Sequence, residues 1–173
     1  MLGKLNRARV ELRSRSIGFS HSSTAERPKR LLRNGRAPDQ AFRWHHLLYQ
    51  RCTNEDVCDT QILSARIKYD AASSNWSKYA KPWDVIFDHP NHGIIQHAVV
   101  NLPQELPKNV PVKTKPKLHS FRPVHVPEDL NYSHTEIQAF HGNEKAKKIG
   151  ELAKKEFRTL MAQCGVVLFR PTI

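Results

Sequence analysis

The chain has 173 residues, enough for one folded core with extensions and too few for a large multidomain enzyme. Hydrophobic residues make up 39% and charged residues 25%, near a globular composition, and no apolar run approaches the roughly 18 residues that span a bilayer. Lys and Arg number 28 against 16 Asp and Glu, a net charge of +12, so an anionic partner is expected and a transmembrane segment is not.

Residues 1–24 carry Lys4, Arg7, Arg9, Arg13 and Arg15 against the single acid Glu11, with five serines. This Arg- and Ser-rich, acid-poor composition is that of an organelle transit peptide, and Leu2, Leu5 and Leu12 fall near one side of an imperfect amphipathic helix. Arg15, Ile17 and Ser20 have the spacing of a presequence cut in two stages, ending after Thr24. The competing expectation is a basic tail that stays attached and binds nucleic acid.

The next segment, 25–38, is a basic arm with Arg27, Lys29, Arg30, Arg33 and Arg36 among Pro28, Gly35 and Pro38; it is expected to stay irregular until bound. Asp39 then caps a predicted helix through AFRWHHLLYQRC, with Phe42, His46 and Tyr49 on one face. Thr53 and Asp56 have capping-box spacing and start a second predicted helix over 54–69, making a helical hairpin. Val85–Phe87 and Ile94–Val100, separated by a loop with Pro90 and Gly93, read as a β-hairpin that closes a unit spanning 39–100.

Residues 101–130 form a basic, proline-rich strap. Prolines 103, 107, 111, 116, 123 and 127 alternate with Lys108, Lys113, Lys115, Lys117 and Arg122. At about 3.1 Å per residue such a strap reaches on the order of 80 Å. It contains no PxxP pair, which argues against an SH3 or WW ligand. In the last unit, 131–173, Ser133 and Glu136 suggest another helix start. From Asn143, Ala146, Ile149, Ala153, Phe157, Leu160 and Cys164 mark a helix that Gly165 stops, and VVLF (166–169) is a strand. The expected fold is α+β: a small domain with a helical hairpin, a β-hairpin and a helix–strand unit, flanked by extended basic arms.

Chemistry is harder to read. GxxxxGK[ST], GxGxxG, GxSxG and HExxH are all absent. Cys52 and Cys58 are too far apart for a usual zinc pair, although a site shared with His89, His92 and His97 through tertiary convergence stays open. A nucleophilic Cys52 or Cys58 with a histidine, or an Asp84–Asp88 carboxylate pair, is a generic coincidence, and no catalytic residue, metal or cofactor is expected. With Cys164 the cysteines number three, too few for a secreted disulfide scaffold. Of the aromatics, Trp44 and Trp83 are expected in the core, while Trp76 and Tyr79 lie beside Lys78 and Lys81, where exposed rings would stack on bases.

Charge is unevenly placed: residues 25–51 carry +5 and 101–127 carry +4, whereas 52–100 carry −2. A basic extension beside a near-neutral body suits neutralisation of phosphates along a nucleic acid. An address, an α+β body and two basic extensions together resemble a mitochondrial ribosomal protein. The resemblance implies a structural component in the mitochondrial matrix, bound to rRNA and neighbouring proteins, with no small-molecule substrate. It implies phosphate contacts from Arg27, Lys29, Arg30, Arg33, Arg36, Lys108, Lys113, Lys115, Lys117 and Arg122. The alternative is a matrix-side accessory subunit of a respiratory complex or ATP synthase, whose strap would run over protein through Leu102, Leu106, Val110, Val112 and Leu118.

Overall fold

The structure, a computed structural model, describes residues 26–68, 72–103, 120–146 and 151–171. The expected transit peptide, and Lys108, Lys113, Lys115 and Lys117, lie outside the described residues.

Strands dominate. The elements in order are β1 (Leu47–Cys52), β2 (Val57–Cys58), β3 (Gln61–Ile62), β4 (Ala72–Trp76), α1 (Pro82–Val85), β5 (Gly93–Ala98), β6 (Ser120–His125), β7 (His134–His141), β8 (Glu144–Lys145), α2 (Glu151–Cys164) and β9 (Val166–Phe169). The main sheet runs β6-β7-β4-β1-β5-β9, with β8 added to β7, and every pairing is antiparallel. This is a mixed helix and strand domain with few helices, so the expected class holds only in its coarse form.

Period-two alternation explains the two faces of the sheet. Leu48 and Cys52 of β1, Ala72 and Trp76 of β4, Ile95 of β5, Phe121 of β6 and Ile137 and Ala139 of β7 share the inner face. There α2 covers them with Ala153, Phe157 and Met161, one row at steps of four, and Phe157 stacks on Phe121 with ring centroids 4.1 Å apart. Full burial of Phe157 and Met161 contributes about 1.5–3 kcal/mol each. The other face carries Ser73, Asn75, His134 and Glu136 and stays largely polar, except where Val85 of α1 packs on Tyr49 and Ile94.

Several expected elements are overturned. The predicted helix over 39–52 is irregular up to His46 and then becomes β1, a central strand paired on both sides; its apolar residues are shared between two buried faces, which imitates a helical stripe. The predicted helix over 54–69 is instead the small β2–β3 hairpin followed by a single 3-10 turn, Ser64–Arg66. Its start signal does form: the Thr53 N–H and Oγ1 both donate to Asp56 Oδ2, at 2.7 and 3.0 Å, closing a turn. Ser133 and Glu136 open β7, where Ser133 Oγ donates to Asn75 and Asn131. The first arm of the expected β-hairpin is α1, and only its second arm is a strand, β5.

The segment 101–130 is also not one extended strap. Residues 120–125 form edge strand β6, with Pro123 at an outward-facing position where its missing N–H costs nothing. The Phe121 N–H donates to Pro103 O at 2.8 Å, which ties the start of β6 to the described residues before it. Residues 104–119 of the expected strap lie outside the described residues. By contrast, α2 over Glu151–Cys164, its Gly165 stop and β9 agree with the sequence pattern, whereas Glu144–Lys145, expected inside that helix, pair with β7 as strand β8. A Cβ on Gly165 would lie 2.5 Å from Ile62 Cδ1 and 2.7 Å from His97 Cε1, so glycine is required there for close approach.

Candidate functional site

The first basic arm is folded onto the body. It passes between α1 and the turn joining β6 to β7: the Tyr132 N–H donates to Leu31 O, the Arg33 N–H to Asp129 O, and Leu31 is buried. Its arginines follow the chain. Arg30 grips the Asp84 carboxylate through Nε (2.8 Å) and Nη2, and Asp84 also accepts the Lys81 N–H at 2.7 Å. Arg27 pairs with Asp88 and donates to Leu130 O, and Arg33 donates to Arg36 O and Pro127 O. Arg36 donates to the carbonyls of Arg30, Leu32 and Arg33 and lies 3.6 Å over the Tyr132 ring. Lys29 is exposed. On β6, Arg122 donates to Gly142 O and lies over Phe140. The arm is therefore not the unfolded, outward-facing segment the composition suggests, because two carboxylates and a row of carbonyls satisfy its guanidinium groups.

Asp84 and Asp88 accordingly answer two arginines instead of forming a carboxylate pair. Asp88 takes Arg27, and Asp84 is a buried residue of α1 held by Arg30. Cys52 is buried, which pushes its thiol up to about 11, and burial raises Cys164 as well, so neither is a ready thiolate. Cys58 is exposed. His97 is fully buried with no hydrogen bond to either ring nitrogen, and desolvation lowers it to about 4. Among the described residues no group of three or more His, Cys, Asp or Glu is placed to hold a metal ion, and no helix is long and apolar enough to cross a membrane.

The tryptophans reverse their expected roles. Trp44 is 72% exposed and Trp83 48% exposed, whereas Trp76 is wholly buried, stacked on Phe42 at 3.9 Å and ringed by His46, Tyr79 and His125. Trp44 sits in the irregular lead into β1, where no strand pairing turns it inward. Trp83 rests against Phe169 of the sheet edge.

A cleft of about 520 Å³ opens where β1 and β4 part. Their ladder covers only Leu48–Trp76 and Tyr49–Asn75, and stops before the Gln50–Ser74 and Arg51–Ser73 pairs that would follow. On its other side β4 bonds β7 through Ala72, Ser74 and Trp76, so the Ser73 N–H points toward β1, whose ladder with β4 does not extend to it among the described residues. Ser73, Asn75, His134, Glu128, Arg51, His89 and His92 all line this cleft. Ser73 Oγ lies 3.0 Å from His134 Nε2, while His134 Nδ1 lies 2.9 Å from Val126 O and 3.5 Å from Glu128 Oε1. A hydrogen on Nδ1 donated to Val126 O leaves Nε2 as the acceptor of the Ser73 hydroxyl proton.

Of this cluster, the sequence offers His89 and His92 only as candidate metal ligands, and it does not single out Ser73 or His134. Ser73 and His134 are 61 residues apart, and the only signal is alternation: Ala72, Ser74 and Trp76 point one way, and Ser73 and Asn75 the other. No family model, curated protein or solved structure matches the chain.

Proposed function

We propose that the chain is a structural, RNA-binding component of a ribonucleoprotein assembly on the pattern of the mitochondrial ribosome, acting in the mitochondrial matrix. One observation carries this reading: most of the positive surplus lies outside the described residues. The described residues hold seventeen Lys and Arg against thirteen Asp and Glu, and the rest hold eleven against three, so +8 of the +12 lies outside them. Within the body Arg27, Arg30, Arg66, Lys78 and Arg170 each meet a carboxylate. Phosphate contact therefore falls to Lys108, Lys113, Lys115 and Lys117 and to the exposed Lys29, and the arginines of 25–38 serve mainly to anchor the arm.

The outer edge of β9 suits a neighbouring protein. It is a short apolar strand paired only with β5 among the described residues, with Val166 53% exposed.

Sedimentation of the tagged chain from mitochondrial lysate tests the proposal. Migration with ribosomal subunits that collapses after ribonuclease is expected; ribonuclease-resistant migration with a membrane complex would overturn it in favour of an accessory subunit.

A further inference from the structure

Beyond RNA binding, we propose that Ser73 and His134 form a nucleophile–base pair that makes the cleft between β1 and β4 an esterase site for carboxylic esters with an anionic acyl group. The geometry points to the reaction at three places. Ser73 Oγ and His134 Nε2 are at hydrogen-bond distance, 3.0 Å, in a cleft of about 520 Å³ that admits a small ligand. The Val126 carbonyl, 2.9 Å from Nδ1, sets the tautomer that makes Nε2 the base, and the Glu128 carboxylate at 3.5 Å faces the positive charge that the ring gains when it takes a proton. The third is the gap itself. Among the described residues the β1–β4 ladder does not extend to Ser73, so its N–H, on the β1 side of the strand, can donate to an oxygen that turns negative, and Arg51 lines the same cleft.

The step balances without a further reagent. Ser73 Oγ attacks the ester carbonyl carbon as its proton passes to His134 Nε2; the C–O bond to the alcohol then breaks, and the leaving oxygen takes that proton. Water, deprotonated by His134, attacks the acyl-serine, the acid departs and the proton returns to Ser73. The acyl preference follows from charge. Arg51 has no carboxylate partner among the described residues, whereas Asp88 and Asp84 in the same cleft are already held by Arg27 and Arg30. His89 and His92, ring centroids 4.9 Å apart, stand beside it as further donors.

The test uses the full chain with a fluorophosphonate probe and with p-nitrophenyl acetate and the p-nitrophenyl monoester of succinic acid. The expected results are one probe adduct on Ser73 by peptide mass spectrometry and a burst of one p-nitrophenol per chain. The succinyl ester should react faster than the acetyl ester. Ser73→Ala should abolish adduct and burst, and His134→Gln should slow acylation by ~10²–10⁴-fold. Arg51→Gln should erase the succinyl preference. Glu128→Gln should lower the acylation rate with KM unchanged, as a positioning role requires. Ser73→Cys keeps a nucleophile at the same atom and should retain a burst, which separates lost chemistry from lost folding. An adduct that persists in Ser73→Ala, or a wild-type chain with neither adduct nor burst, overturns the proposal.

Discussion

His97 should make the fold acid-sensitive in a defined window. Its ring is 1% exposed, neither nitrogen has a hydrogen bond, and burial holds it at about 4 against an ordinary 6.5. The unfolded chain therefore binds a proton between these values that the folded chain refuses. Stability contributed by the neutral ring is complete above pH 6.5, falls as the pH drops toward 4, and changes no further below that. A difference of 2.5 units corresponds to about 3 kcal/mol, or ~6–12 °C in Tm for a chain of this size. Urea unfolding followed by circular dichroism at pH 7, 6, 5 and 4.5 would be compared between wild type and His97→Met, a residue of similar volume without titratable atoms. His46, His89 and His125 are also lowered by burial and act in the same direction, but they are common to both proteins and cancel in the difference. Asp39, held far below the usual carboxylate range by Lys78, Tyr79 and the Ala41 N–H, loses its contribution only under more acidic conditions, as the pH falls below about 3.8. The two stability curves should diverge by about 2–2.5 kcal/mol from pH 7 to 4.5, short of the full value because the folded ring already takes up some proton at 4.5. Parallel curves would show that the ring is hydrated or protonated in the folded state, and would refute the reasoning.

Further outcomes follow from packing and charge. Asp84→Asn should remove the carboxylate shared by Arg30 and the Lys81 N–H, destabilise by about 1–2 kcal/mol because Arg30 is half solvated, and speed tryptic cleavage after Arg30 and Arg33. Gly93→Ala places a Cβ against Phe169 O and 2.6 Å from Pro171 Cδ, so it should displace β9, cost about 1–3 kcal/mol in urea unfolding, and expose Val167–Phe169 to hydrogen exchange. Replacing Lys113, Lys115 and Lys117 by Gln should weaken RNA binding and flatten its salt dependence by roughly 0.7–0.9 in log–log slope for each phosphate left without its lysine. Arg36→Gln should instead lower Tm with the salt slope unchanged, since its guanidinium is used on three carbonyls and the Tyr132 ring.

Features that depend on neighbours along the chain can be read from residue order. Ala153, Phe157 and Cys164 lie on a helical stripe that ends at Gly165, so α2 and the strand after it were legible, and the Thr53–Asp56 and Lys81–Asp84 turns closed on their own side chains. Composition also located the charge. Long-range packing settled the rest, because a central strand such as β1 presents apolar residues to both faces and loses the alternation that distinguishes it from a helix. Packing likewise determines where cations go: Arg30 looks like an RNA contact until Asp84, 54 residues away, is folded against it. The Ser73–His134 pair belongs to the same class. Two polar residues on separate strands acquire a shared chemistry only when β4–β7 pairing brings them to 3.0 Å and the parting of β1 opens space beside them, and local sequence holds no record of either event.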